Sequence, residues 1–161
     1  MWKTLPKYSK EAKKLGTAIK DVYGAQTLYV QQGLDMNSAM DLGVETLKMA
    51  RVANIGAEEA TNSMTAALRG FNMELTETSA KRVNDVYSKL AQNTASNTQE
   101  ISTAMSKTAA LANSANMSFE NTAAFLATII ESTREGAETA GTALKTVIAR
   151  FSEVKKLYTE D

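Results

Sequence analysis

The stretch Ser118–Phe151, SFENTAAFLATIIESTREGAETAGTALKTVIARF, decides the fold of this chain. It contains the longest apolar run, Thr122 to Ile130, followed by the charged connector Thr133–Glu138 and a second amphipathic segment. Ser118 is of a residue type that caps helix N-termini, so we expect a helix to begin directly after it. Nearly all sides of the apolar run are apolar, which predicts that this helix is the buried centre of the molecule. Its apolar positions follow helical spacing at Phe119, Ala123, Leu126 and Ile130.

Helix start signals recur before and after this segment. Asn97 with Glu100 three residues later matches the capping-box pattern. The final helix is expected from about Thr139, with a buried stripe of Leu144, Val147, Ile148, Phe151, Val154 and Tyr158. Earlier helices are predicted to begin near Asp35, after Gly56 with Glu58 and Glu59 in the first turn, and at Thr76.

Residues 1–34 are predicted to form a short N-terminal segment followed by one long helix that ends at Gly33. Gly16 and Gly24 argue against an unbroken helix, because glycine costs about 1 kcal/mol relative to alanine in a helix interior. Residues 35–161 are predicted to be the helical core, forming one folded unit. The predicted fold class is therefore all-α, a compact bundle of about seven helices with short connections and no β-sheet.

The predicted helix starts recur about every twenty residues, which also raises the possibility of a repeat array. The units share a length but little sequence, and this favours a bundle. Pro6 is the only proline, consistent with long uninterrupted helices.

Composition restricts the chemistry available to the chain. It contains 18 basic and 18 acidic residues, no cysteine and no histidine. These absences exclude disulfides, thiolate catalysis, histidine-based triads and the usual zinc sites. A net charge of zero argues against a nucleic-acid-binding protein, because such proteins are usually basic. No apolar stretch is long enough to span a membrane, so we expect no membrane contact from this segment.

Two patterns with catalytic or ligand-binding precedent are better explained as structure. Gly136 and Gly141 have the spacing of a phosphate loop, but Thr142 stands where the loop needs lysine. Glu131 and Glu135 could form a carboxylate pair for glycoside hydrolysis, yet Arg134 and neighbouring acids indicate an exposed mixed-charge face. We therefore predict no catalytic, cofactor-binding or metal-binding residues, no cofactor and no enzymatic activity.

Two further residue groups bear on partners. The methionines are expected to fill the core more often than to form a soft binding groove. Tyr8, Tyr23 and Tyr29, with Trp2 before them, predict that the first helix docks on another protein or another copy of this chain. The lysines at 10–14 and 155–156 have acidic neighbours and are expected on solvated helix faces.

From about Gln26 onward the chain resembles the helical TP901-type core region of phage tail tape measure proteins. The resemblance lies in the VQQGLD turn, in LKMARVANIGAEEATNSMTAALRGFNM, and in the order and spacing of motifs from RVNDVYSKLAQN to VIARF. The most specific pieces are Val83–Val86, Asn93–Asn97, Met117–Ala124 and Ala140–Lys145. Two positions depart from the family, namely Asn116, where glycine is common, and the connector at 133–136, which is Thr-Arg-Glu-Gly rather than Gly-X-X-Gly.

The resemblance implies a structural virion component that sets tail length inside the tail tube and is ejected ahead of the DNA. It implies assembly from the host cytoplasm into the tail lumen, with other copies, tail tube and tail-tip proteins and assembly chaperones as partners. Family proteins are many hundreds of residues long, so the chain is expected to be a fragment of a phage or prophage protein. The alternatives are a helical cell-wall hydrolase domain carried by such a protein, a generic helical interaction module, or a helix-turn-helix DNA binder at residues 57–92.

Overall fold

The computed structural model describes residues 5–159, with side chains described for residues 8–154. Over the described residues the chain is all-helical and contains no strand, which confirms the predicted all-α class. The helices are α1 (Leu5–Leu15), α2 (Ile19–Gln31), α3 (Met36–Ala53), α4 (Ala57–Gly70), α5 (Glu77–Asn93), α6 (Thr98–Ser114), α7 (Phe119–Thr133) and α8 (Ala137–Thr159).

The eighth helix arises because the predicted long N-terminal helix is broken at Gly16. Gly16 has a φ of 63° and donates its N–H to the Lys13 carbonyl at 3.2 Å, while the Thr17 N–H bonds the Ala12 carbonyl at 3.0 Å. This pair of bonds is the Schellman arrangement, which needs a left-handed residue that glycine adopts at little cost. The reversal lets α1 fold back against α3, where the Tyr8 hydroxyl contacts the Asp41 carboxylate at 3.2 Å.

The predicted helix starts are confirmed by capping hydrogen bonds. The Asp35 carboxylate accepts from the main-chain N–H of Asn37, and the hydroxyl of Thr76 accepts from that of Ser79. Ser118 caps α7 in the same way through Asn121. At α6 both bonds of the capping box are present. The Asn97 side chain accepts from the Glu100 N–H at 2.9 Å, and the Glu100 carboxylate accepts from the Asn97 N–H at 2.8 Å.

Several helix ends use a left-handed residue followed by an apolar one. Asn116 has a φ of 60°, a left-handed conformation that glycine and asparagine adopt more readily than other residues. α4 ends at Gly70, and the left-handed residue that follows it is Asn72. After α7 the left-handed residue is Arg134, and Gly136 directly precedes the first turn of α8. The left-handed and apolar pairs are Gly33–Leu34, Asn54–Ile55, Asn72–Met73 and Asn116–Met117.

The central helix of the bundle is α6, not α7 as the apolar run predicted. α6 contacts α3, α4, α5, α7 and α8. α7 buries Leu126 and Ile130 in the core but turns Ala124, Phe125 and Thr128 to solvent, and the Phe125 side chain is 54% exposed. Small residues and single aromatics tolerate exposure, so apolarity on all sides does not establish burial on all sides.

Two glycines allow the neighbouring helices to approach α6 closely. A Cβ on Gly70 would lie 2.5 Å from the Ala109 Cβ, and one on Gly141 would lie 2.5 Å from the Ala104 carbonyl oxygen. At the second contact the Thr108 hydroxyl donates to the Gly141 carbonyl at 2.6 Å. Gly141 therefore allows α8 to pack closely on α6.

The buried apolar side chains form two clusters. The main cluster draws on α2 to α8 and includes Tyr29, Tyr87, Phe119 and Leu126. A smaller cluster lies beneath α1 and joins Tyr8 and Ala12 to residues of α2, α3 and α4. The core interpretation of the methionines is confirmed for the buried Met40, Met49, Met64 and Met105, whereas Met36 is exposed.

Candidate interaction surface

The last helix, α8, has one apolar series that is buried at its start and exposed further along. Ala140, Leu144 and Ile148 are buried against the bundle. Val147, Phe151 and Val154 are 48%, 72% and 49% exposed, and we call these three residues the α8 stripe. The prediction of a buried stripe on this helix is thus confirmed at 144 and 148 and wrong at 147, 151 and 154. The side chain of Tyr158 lies outside the described residues.

The stripe becomes exposed because the bundle ends beside it. An open groove of 420 Å³ separates α8 from the end of α6 and the turn after it. Beyond this level, residues 153–159 of α8 continue for about 10 Å at the helical rise. Phe151 therefore lies at the rim of the bundle. The groove is lined by Ser114, Ala115, Asn116, Met117, Ile148, Phe151 and Ser152.

Two charged residues of α8, Arg150 and Glu153, are close to the stripe in sequence. The Arg150 guanidinium and the Glu153 carboxylate form an exposed ion pair at 3.1 Å. Exposed pairs of this kind contribute little to stability, so both side chains are free to exchange partners. The α8 stripe itself is therefore entirely apolar.

The aromatic docking face predicted on the first helix is wrong for two of its three tyrosines. Tyr8 and Tyr29 are buried, and Tyr29 shares a 2.7 Å hydrogen bond with Thr46. Of the three tyrosines only Tyr23 is exposed, and its side chain is 36% exposed. Trp2 lies outside the described residues. Helical spacing placed these aromatics on one helix, but the break at Gly16 divides them between α1 and α2.

The residues of the two patterns considered for catalysis or ligand binding, the Glu131 pair and the Gly136–Gly141 loop, make contacts that support the fold. The Glu131 carboxylate accepts from the Ala95 N–H at 3.3 Å, and the Arg134 guanidinium donates to the Ala95 carbonyl at 3.3 Å. Glu131 and Arg134 therefore connect the end of α7 to the turn between α5 and α6 by hydrogen bonds. Gly141 contacts α6 rather than an open loop. In the part of the chain that the structure describes, no group of three or more acidic side chains is placed to hold a metal ion.

One buried charge was missed by sequence reasoning. Glu45 on α3 is only 3% exposed, and its carboxylate accepts from the Lys48 ammonium at 2.5 Å. Asn84 on α5 donates its amide to the main-chain carbonyl of Glu45 at 2.9 Å. Glu45 and Lys48 are three residues apart, as in any surface helix pair, so only the packing of α5 reveals the burial.

Comparison with known proteins identifies the family. The profile of the phage-related minor tail proteins matches residues 9–160, which is nearly the whole chain. The chain belongs to this family. This membership confirms the resemblance drawn from the motifs, and it supports a structural role in the phage tail.

The chain is also similar to a curated member of the tape measure group. It is 28% identical over 145 residues to the tape measure protein of Pneumococcus phage Dp-1. The match covers 90% of this chain and only 12% of that relative. No solved structure matches the chain significantly. Among the described residues of this minor tail protein, no helix has the length and apolarity needed to cross a membrane.

Proposed function

We propose that the chain is a segment of a tape measure protein, lying in the lumen of the tail tube. In this role the full protein sets tail length and leaves ahead of the DNA. The supporting observation is the similarity to a tape measure protein along 90% of the chain. The proposed partners are other copies, tail tube and tail-tip proteins, and chaperones that act in the bacterial cytoplasm during assembly.

The physical character of the segment suits a structural role. Its helices are joined by short turns, and its capping and left-handed residues fix each turn locally. The polar groups that resembled catalytic sites are engaged in helix packing or in helix connections. A protein that sets tail length needs helices and turns of reproducible length. Because the capping and left-handed residues lie next to each turn, the length of each helix is fixed by neighbouring residues and not by distant contacts.

An in-frame deletion of these residues in the phage that encodes them tests the proposal. Tail length is measured by electron microscopy. A segment extended as continuous helix would shorten the tail by about 240 Å, whereas a compact segment would shorten it by about 40 Å. A tandem duplication is expected to lengthen the tail by the same amount.

A variant with unchanged chain length provides the control. Leu126→Asp places a charge in the main cluster and disrupts the fold without removing residues. If the number of residues in the protein sets tail length, tails assembled with this variant should be as long as unmodified tails. Tails of normal length after the deletion would contradict the proposal.

A further inference from the structure

We infer that α1 is an exchangeable strap. It covers α3 of its own chain when the turn at Gly16 is closed, and it covers α3 of a second copy when that turn straightens. In the exchanged form α1 and α2 are one continuous helix. The inference goes beyond the proposed function and does not depend on it, because it follows from this turn and from the surfaces on its two sides.

The turn between α1 and α2 needs one left-handed residue and is otherwise loosely held. Gly16 has a φ of 63°, a conformation that alanine adopts only at a cost. A Cβ at Gly16 would meet no atom within 4 Å, so the space around the turn is open. The N-cap residue of α2 is Ala18, whose side chain cannot cap a helix. The Thr17 hydroxyl donates to the Asp21 carboxylate at 3.0 Å, and residues four apart also adjoin on a continuous helix.

The apolar pattern of the sequence continues through the turn. On a continuous helix of 3.6 residues per turn, six apolar and aromatic positions would lie within an arc of about 80°. They are Tyr8, Ala12, Leu15, Ile19, Tyr23 and Val30. In the described structure the three on α1 are buried or half-buried, whereas the three on α2 are 36% to 42% exposed. The sequence therefore fits one long amphipathic helix as well as it fits the observed pair of helices.

The surface beneath α1 shows which segment would cover it in an exchanged pair. Tyr8 and Ala12 belong to the same buried cluster as the α3 residues Met40, Val44 and Leu47, and α1 contacts α3. When α1 leaves, this apolar face of α3 is exposed to water, and burying it again is favourable. The α1 helix of a second copy fits the face, because it brings the contacts that the structure already shows.

One polar contact gives this pairing a specific mark. The Tyr8 hydroxyl contacts the Asp41 carboxylate at 3.2 Å, and the two residues lie on different helices. In the closed form both residues belong to one chain, whereas in the exchanged form they belong to two. Exchange of an identical element between copies is a low-cost route to a dimer, since the contacts formed equal the contacts given up. The unmodified chain is therefore expected to be monomeric when dilute and to exchange when concentrated.

Mixing two variants with an unchanged turn tests the exchange. Tyr8→Asp places a carboxylate near Asp41, so α1 of this variant is repelled from its own α3. Asp41→Lys removes the acceptor of the Tyr8 hydroxyl in the other variant. An exchanged pair of the two chains restores Tyr8 to Asp41 at one site and joins the new carboxylate to the new ammonium at the other. Each variant alone should be monomeric, and the concentrated mixture should give a one-to-one complex by sedimentation equilibrium and native mass spectrometry.

Substitution of Gly16 tests the role of the turn. Gly16→Ala penalises the left-handed residue and favours continuous helix, which should raise the ratio of straightened to closed turn by roughly tenfold or more in each chain. A dimer contains two such chains, so its dissociation constant should fall about a hundredfold. Gly24→Ala is the matched control, because it adds the same methyl group to a helix where a Cβ also meets no atom within 4 Å. It should leave the dissociation constant unchanged.

The two experiments fail independently of each other and of the proposed function. Circular dichroism checks that each variant stays folded, and the mixing test does not require Gly16→Ala to fold. A concentrated mixture without the one-to-one complex, or two variants that each dimerise alone as strongly, would overturn the exchange of α1. A folded Gly16→Ala chain that dimerises no more than Gly24→Ala would overturn the role of the turn. Tail lengths after the deletion bear only on the proposed function.

Discussion

Two buried tyrosines of the main cluster differ in what their hydroxyl groups contact. The Thr46 hydroxyl donates to the Leu42 carbonyl, so Tyr29 acts as the donor in its 2.7 Å bond to Thr46. Burial raises the pKa of Tyr29 to about 12, and the hydroxyl therefore stays protonated at neutral pH. The Tyr87 hydroxyl is buried and has no hydrogen-bond partner among the residues that the structure describes, and burial raises its pKa as well. An unpartnered buried hydroxyl destabilises the folded state, because it loses water and gains nothing in exchange.

Replacing each tyrosine by phenylalanine should therefore have opposite effects. Tyr87→Phe is expected to leave the free energy of unfolding unchanged or to raise it by up to about 1 kcal/mol. The ring would keep its contact with Phe119, whose centroid is 5.6 Å away. Tyr29→Phe should lower the free energy of unfolding by about 1 kcal/mol, because a satisfied bond is lost. Urea denaturation measures both, and equal losses in the two variants would contradict the assignment.

For the helices, the sequence predicted where each helix begins more accurately than which side of it is buried. The caps at Asp35, Thr76, Asn97 and Ser118 were predictable because a capping bond joins residues only two or three positions apart. Burial depends on which other helix lies alongside. The apolar run of α7 was therefore placed at the centre, although α3 and α6 each contact more of the other helices than α7 does.

The same limit explains the errors at the candidate surface. Phe151 and Leu144 belong to one periodic series, and nothing local to α8 shows that the bundle ends between them. Conversely, the sequence predicts Tyr29 as a docking residue because the α3 residues that cover it are distant in sequence. Gly16 was recognised in the sequence as unfavourable within a long helix. Whether a glycine ends a helix or lies within it also depends on which other helices the following residues can pack against, and the local sequence does not show this.

Glycines inside helices give a test of packing at this scale. Gly141→Ala would place a methyl group 2.5 Å from the Ala104 carbonyl oxygen, which is backbone and cannot rotate away. Overpacking of this kind typically costs about 1–3 kcal/mol, more than the roughly 1 kcal/mol that alanine gains in helix propensity. We therefore expect a net loss of stability and a loosened contact between α6 and α8.

Gly24→Ala is the matched control. Gly24 lies within α2, and a Cβ there would meet no atom within 4 Å. This variant should gain up to about 1 kcal/mol from helix propensity alone. Thermal or urea unfolding compares the two variants. A stabilised Gly141→Ala would show that α8 does not approach α6 as closely as described.

For the whole molecule, the two apolar clusters indicate which parts depend on one another. The buried residues described for α1, Tyr8 and Ala12, belong to the smaller cluster, and the turn at Gly16 joins α1 to α2. α2 contributes to both clusters, since Val22 lies in the smaller one and Tyr29 in the main one. The fold is therefore expected to tolerate the loss of α1 far better than the loss of α1 and α2 together.

Two truncations test this dependence. A chain of residues 18–161 retains every buried residue of the main cluster and should still unfold cooperatively, at a lower midpoint. A chain of residues 35–161 also lacks Tyr29, and losing a buried aromatic of this kind costs about 3–5 kcal/mol, much of the 5–15 kcal/mol typical of a domain. We expect this shorter chain to lose cooperative unfolding and to bind a hydrophobic dye. The sequence prediction that residues 35–161 form a folded unit requires the opposite, a sharp transition in the shorter chain, so the same denaturation curves decide whether the unit begins before α2 or after it.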